Sequence, residues 1–305
     1  MSTRVFRFLL GVLLAAMLAC AMQAATAAPL VIDRVQAVAS PGERFPEGLP
    51  ATSVQLPDDW SHSRPRHDGS VWYRAVFDPP AGTGRDDLLA LYIERVCTTD
   101  EVFLNGHRIH SGGRLTEPLA RNCYHPQLVT LPAALLQSQN NVLDLHVVGS
   151  ALQRVAARQR AGGLSALTIG PQSELAPLYE QRLFWNVTVV QLTSLTLLIV
   201  GGFMLGLFWL NRREVPLLYF GALLVGWSVL SARIWWRDLP LSTATAEFIA
   251  CCAFPLMVAC LVQFLLSYAM LRSRLTEAVL LAQAVLVPLT LILAGPTRVY
   301  TVANA

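Results

Sequence analysis

The chain has 305 residues, of which 54% are hydrophobic and only 14% charged, whereas soluble domains carry about 25% charged residues. That deficit points to a membrane. A net charge of +3, with no basic run interleaved with aromatics, excludes a nucleic-acid-binding protein. Most of the charge lies between Asp33 and Arg182, so a stretch of about 150 residues has the composition and length for one soluble core.

Residues 1–27 read as a secretory signal peptide. Arg4 and Arg7 form a basic start, an apolar run follows, and Ala25-Thr26-Ala27 supplies small residues before a cut. An uncleaved anchor, or a lipoprotein signal ending at Cys20, are the alternatives. Each places the following domain outside the cytoplasm.

Residues 28–175 read as an exported all-β sandwich. Val71, Tyr73, Ala75 and Phe77 alternate along one face, and Leu143, Leu145 and Val147 lie opposite Asp144 and His146. Asn105-Gly106 between Val102-Phe103-Leu104 and His107-Arg108-Ile109 predicts a tight type I′ hairpin. Helical patterning is sparse, and its best window is 151–160. Cys97 and Cys123 are this domain's only cysteines. An isolated pair in an oxidising compartment is expected to bond, contributing about 3 kcal/mol by chain entropy, with two buried thiols as the alternative.

All six histidines lie in this domain. His107 and His110, with His125 beyond, have no neighbouring carboxylate cluster, and residues three apart on a strand point to opposite faces. No metal or other cofactor is expected. No nucleophile motif surrounds any serine, so the chain is expected not to be an enzyme.

Residues 176–186 read as a linker, followed by spans at 187–210, 215–232, 248–271 and 278–294 and a tail at 296–305. The first run has no charged side chain and is long enough to cross about 30 Å of hydrocarbon. Inside lipid each run must satisfy its own amides and is therefore helical. Arg212, Arg213, Arg272 and Arg274 would lie on the inner side, but Arg182, Arg233, Arg237 and Arg298 balance them outside. Orientation therefore rests on the signal. Glu247 reads as the end of a polar loop, or as a partner for Arg233 or Arg237.

Three motifs in order carry a resemblance: Leu56-Pro57-Asp58-Asp59-Trp60, Trp72-Tyr73-Arg74, and Glu101-Val102-Phe103-Leu104-Asn105-Gly106. They resemble the galactose-binding-like jelly roll of β-galactosidases. The same order is similar to the exported sensor of bacterial seven-transmembrane receptors with diverse intracellular signalling modules. Leu167-Thr168-Ile169-Gly170-Pro171 and Arg212-Arg213-Glu214-Val215-Pro216 resemble that family's link into its first span and its first intracellular turn.

The resemblance implies an α-helical bundle below a jelly roll, in the bacterial inner membrane with the N-terminal domain periplasmic. It implies a sensory input for a histidine kinase or diguanylate cyclase. No nucleotide-binding glycine box or phospho-acceptor helix occurs here, so the output is expected elsewhere, on a longer chain or a partner protein. A homodimer is implied, as is a small-molecule or carbohydrate ligand. Exposed aromatics beside basic groups are the usual sugar contacts, which selects Trp60, Arg121 and Tyr124. The competing reading is an envelope carbohydrate-binding protein without signalling; a small transporter would need intramembrane charges, which the runs almost lack.

Overall fold

A computed structural model describes residues 28–81, 88–295, 298, 299 and 301. The expected signal peptide lies outside these residues, as does most of the tail. The first half is antiparallel throughout. Its strands are β1 (Leu30–Ile32), β2 (Arg34–Ala39), β3 (Thr52–Gln55), β4 (Asp58–Asp59), β5 (Gly69–Phe77), β6 (Leu89–Ile93) and β7 (Val96–Cys97). They continue with β8 (Thr99–Leu104), β9 (His107–Ser111), β10 (Gln127–Leu131), β11 (Asn141–Gly149), β12 (Gly163–Leu164) and β13 (Leu167–Pro171).

A six-stranded sheet runs β3-β2-β5-β11-β8-β9 and a four-stranded sheet runs β1-β13-β6-β10, with β4-β12-β7 forming a small third sheet. The two larger sheets face each other across one core. Val71, Tyr73, Ala75 and Phe77 enter it from one side with Leu143, Leu145 and Val147, and Leu89, Leu91, Ile93, Leu167 and Ile169 enter from the other. The period-two pattern of the sequence is the imprint of this packing. Asn105 and Gly106 have φ of 49° and 82°, the double positive φ that a type I′ turn requires.

Two residues from the opposite faces, Asp144 and His146, are buried as well. The loop after β2 folds over them: Phe45 joins Val38 and Trp72 in a second small core, and the Trp72 indole donates to the Gly42 carbonyl at 3.0 Å. His146 stacks on Trp72 with ring centroids 4.4 Å apart.

Trp60 opens a one-turn helix, α1 (Trp60–Ser63), capped by Asp59, whose carboxylate accepts from the Ser61 amide at 2.9 Å. The indole is wholly buried. Trp60 is therefore not an exposed sugar contact: the ring fills the core, and Asp58 and Ser61 beside it are buried as well. A Cβ at Gly162 would sit 2.4 Å from that ring, so only glycine lets the backbone pass. The window 151–160 is not a helix. Two 3₁₀ turns, Leu152–Arg154 and Arg158–Arg160, occupy it, because the Ser150 amide bonds the Ala161 carbonyl at 2.7 Å and closes the segment into a loop.

Among the described residues, four helical segments long and apolar enough to cross a membrane follow. α2 (Gln172–Leu183) runs through a π turn (Phe184–Thr188) into α3 (Val189–Leu210), and then come α4 (Val215–Trp235), α5 (Thr243–Tyr268) and α6 (Arg274–Ala294). Each membrane-crossing segment, Gln172–Leu210 included, is long and apolar enough to span a bilayer. The stretch expected as a linker is thus helical throughout. α5 and α6 begin several residues earlier than hydropathy indicates, since Ser242 and Ser273 cap them through the Thr245 and Thr276 amides. Leu192, Leu195, Ile199 and Phe203 of α3 remain exposed, as lipid contact requires. Ser228 of α4 donates to the Ser194 carbonyl of α3 at 2.7 Å, tying the pair together.

Candidate functional site: the junction of sandwich and bundle

The sandwich rests on the ends of α4 and α5. The β9–β10 loop reaches this junction under local control. Cys97 and Cys123 are joined as a disulfide, the Asn122 amide donates to the Thr98 carbonyl at 2.8 Å, and the Asn122 side chain donates to the Gly112 carbonyl at 2.8 Å. The α4–α5 loop answers it. Arg237 donates to the Gly112 carbonyl at 2.7 Å, and the Arg121 amide donates to the Arg237 carbonyl at 3.1 Å. His125 Nε2 lies 3.2 Å from the Trp235 carbonyl, and the Thr243 amide donates to Glu117 Oε2 at 2.9 Å.

At the centre, Glu247 of α5 is fully buried. Its Oε2 accepts from the Ala156 amide at 3.0 Å. Its Oε1 pairs with Arg160 and stands 3.6 Å from Arg121 Nη1. Arg160 also donates to the Arg233 carbonyl at 3.4 Å. Glu247 is thus neither a loop terminus nor a direct partner of Arg237: it is the point where one carboxylate pins two sandwich loops to a helix. Among the expected ligand residues, Arg121 and half-buried Tyr124 come together here, lining one cavity with Thr98, Ser150, Arg160 and Arg233; Trp60 does not.

A cleft of about 500 Å³ adjoins this cavity, sharing Ser150 and Thr243, with Asp68, Glu117 and Arg154 on its walls. It touches both sandwich and helix. A larger cleft of about 870 Å³ on the outer face of the six-stranded sheet, lined by Glu101, Phe103, His107, Arg108 and His146, touches the sandwich alone.

Beside the junction lies a second buried carboxyl, Asp100. Its Oδ1 accepts from Gln127 at 2.6 Å, and its Oδ2 hydrogen-bonds to none of the described residues. Burial, partly offset by Gln127 and Arg237 and reinforced by Glu101, pushes its pKa from 3.8 up to about 7. The folded state therefore binds the proton more tightly than the unfolded chain does. Asp100's contribution is full below about pH 4 and is lost as pH rises through about 7. His110, His125 and His146 are pushed down, chiefly by burial, and act oppositely, lowering stability as pH falls below 6.5. The stability advantage of the wild type over Asp100→Asn is therefore expected to shrink between about pH 4 and pH 8. Denaturation of both proteins across that range measures it; a pH-independent difference would refute the elevated pKa.

These features define a multi-pass membrane protein carrying an antiparallel β domain that is clamped to its own helices. No protein-family model matches the chain, and no curated protein matches it. Among solved structures it is similar to a glycosyl hydrolase family 2 member from Bacteroides cellulosilyticus, at 13% identity over 47% of this chain and 20% of the other, with a TM-score of 0.35. It is also similar to β-glucuronidases from Faecalibacterium prausnitzii, at 18% identity over 49% and 32% with a TM-score of 0.36, and from Ruminococcus gnavus, at 17% identity over 49% and 30% with a TM-score of 0.36. The chain spans a fifth to a third of the length of these structures. They are glycosidases, against the expectation that the chain is not an enzyme. Likeness at this level nevertheless assigns it neither activity nor ligand.

Proposed function

We propose that the chain is the sensory input of a bacterial signal-transducing receptor, lying in the inner membrane with its sandwich, a galactose-binding-like jelly roll, in the periplasm. The observation that carries this reading is the Glu247 clamp, which makes the position of the sandwich and the position of α5 one mechanical variable. A ligand shifts such a variable only through different affinity for its two states. The cleft touching both Glu117 and Thr243 offers that difference, whereas the outer-face cleft engages a single body. The ligand class is a small molecule, with carbohydrate first among candidates. The resemblance to seven-transmembrane receptors supports a histidine kinase or diguanylate cyclase as the output, and a homodimer as the working unit.

The test is a cysteine pair, Glu117→Cys with Thr243→Cys, in the full chain in lipid nanodiscs. Crosslinking yield is read against a panel of mono- and oligosaccharides whose binding is measured in parallel. At least one saccharide that binds is expected to change the yield. Unchanged yield with every saturating binder would overturn the sensory reading.

A further inference from the structure

The Glu247 cluster is unbalanced. Three guanidinium groups, Arg121, Arg160 and Arg233, converge on one buried carboxylate; Arg121 and Arg160 stand within ion-pair distance of it, and Arg233 is within its electrostatic reach. The next acid, Glu117, also acts on Arg121, but its Oε2 is occupied by the Thr243 amide. Arginine stays protonated at any physiological pH, so the cluster carries surplus positive charge.

The donors are unsatisfied too. Arg121 is 9% exposed, yet its Nη1 and Nη2 hydrogen-bond to none of the described residues, and neither does Arg233 Nη1. Both side chains line the cavity of about 30 Å³, room for about two water molecules or one compact anion. Hydroxyl-bearing Thr98, Tyr124, Ser150 and Thr243 share its wall with Arg160 and with the Glu247 carboxylate, whose Oε1 and Oε2 are engaged by Arg160 and the Ala156 amide, and the disulfide partner Cys123 adjoins it. Buried cations persist where they are paired. The Arg121 guanidinium is pushed down to about 10, first by burial and then by Arg160, as expected of a cation short of counter-charge.

We propose that this cavity is a binding site for a compact monovalent anionic group, held by Arg121 and Arg233 with help from the surrounding hydroxyls. Two sources share that chemistry: a free halide, or the carboxylate of an organic acid whose body lies in the adjoining 500 Å³ cleft that shares Ser150 and Thr243. The anion would complete the clamp from the sandwich side. Its regulatory meaning rests on the sensory reading above, but its binding does not.

The experiment uses the full chain in lipid nanodiscs. Melting temperature is followed while sodium chloride replaces the sodium salt of a bulky sulfonate at constant ionic strength. Sodium acetate and sodium gluconate are titrated in parallel. A saturable stabilisation by chloride is expected, with Arg121→Gln binding about tenfold or more weakly. Silence of gluconate identifies a free small anion; stabilisation by gluconate that competes with chloride identifies an organic acid. Equal effects of chloride, acetate, gluconate and sulfonate would overturn the site, as would wild-type chloride affinity in Arg121→Gln. Should that variant fail to fold, bromide is soaked into crystals of the wild type, and an anomalous peak, or none, beside Arg121 decides. Anion binding, with crosslinking of the Glu117→Cys, Thr243→Cys pair unresponsive to every ligand, would uphold the site and remove the sensory reading. A saccharide-responsive crosslink without anion stabilisation would do the reverse.

Discussion

Glu247→Gln is expected to destabilise the protein by about 3–5 kcal/mol, because removing one member of a buried ion cluster strands the others without counter-charge. The substitution keeps the shape of the side chain, so the loss measures charge rather than packing. Glu247 accepts from the Ala156 amide and pairs with Arg160, and both partners belong to the loop that joins β11 to β12. The first effect is therefore local. Hydrogen exchange across residues 154–161 should accelerate before any strand of the sandwich does, and thermal unfolding in nanodiscs should begin at lower temperature. Wild-type stability with unchanged exchange would mean that other contacts, such as that of Arg237 with the Gly112 carbonyl, hold the sandwich in place.

Trp60→Ala is expected to cost a similar amount, about 3–5 kcal/mol, through a cavity that the surrounding strands fill only partly. The indole donates to the Tyr73 hydroxyl at 2.6 Å, which donates in turn to Asp58 Oδ2 at 2.6 Å. Arg64 reaches the same Asp58 oxygen at 2.9 Å. Truncation thus breaks the first link of a buried chain that ends on an ion pair. Trp60→Phe keeps most of the volume and loses only the donor, so its effect should be smaller. Chemical denaturation separates the two. Because the ring is fully buried, ligand affinity of Trp60→Ala protein that remains folded at low temperature should equal that of the wild type; a specific loss of saccharide binding would restore Trp60 as a contact.

The strands were legible where alternation was local. Val71, Tyr73, Ala75 and Phe77 face the core as their period requires, and Asn105-Gly106 turns as its φ preferences require. The four apolar helices were legible because hydrocarbon imposes length and composition together. Trp60 was misread because Asp58, Asp59, Ser61 and His62 surround it with polarity. The clue to its burial lies about a hundred residues away, at Gly162, whose missing side chain makes room for the ring. The partners of Glu247 were illegible for the same reason: Arg160 and Arg121 are distant in sequence, and no periodicity marks a loop that meets a helix. Arg121 and Tyr124 were selected as a basic group beside an aromatic. They do share a cavity, but their role is set by α5, which no reading of their own neighbourhood reveals.

The last strand, β13, is bonded on both edges, to β1 through Leu30 and Ile169 and to β6 through Ile169 and Leu91. It passes directly into the Gln172–Leu210 segment, an axle of about 58 Å at 1.5 Å per residue. A strand gripped on both sides cannot swivel within its sheet, so any twist of the sheet emerges as torque on that axle. Two places along it are soft. Pro177 removes an amide donor from the helical ladder, and the π turn at Phe184–Thr188 loosens the winding where the segment approaches its most apolar stretch. Both interruptions of the rod lie near the sandwich, and beyond Thr188 the helix runs unbroken to Leu210.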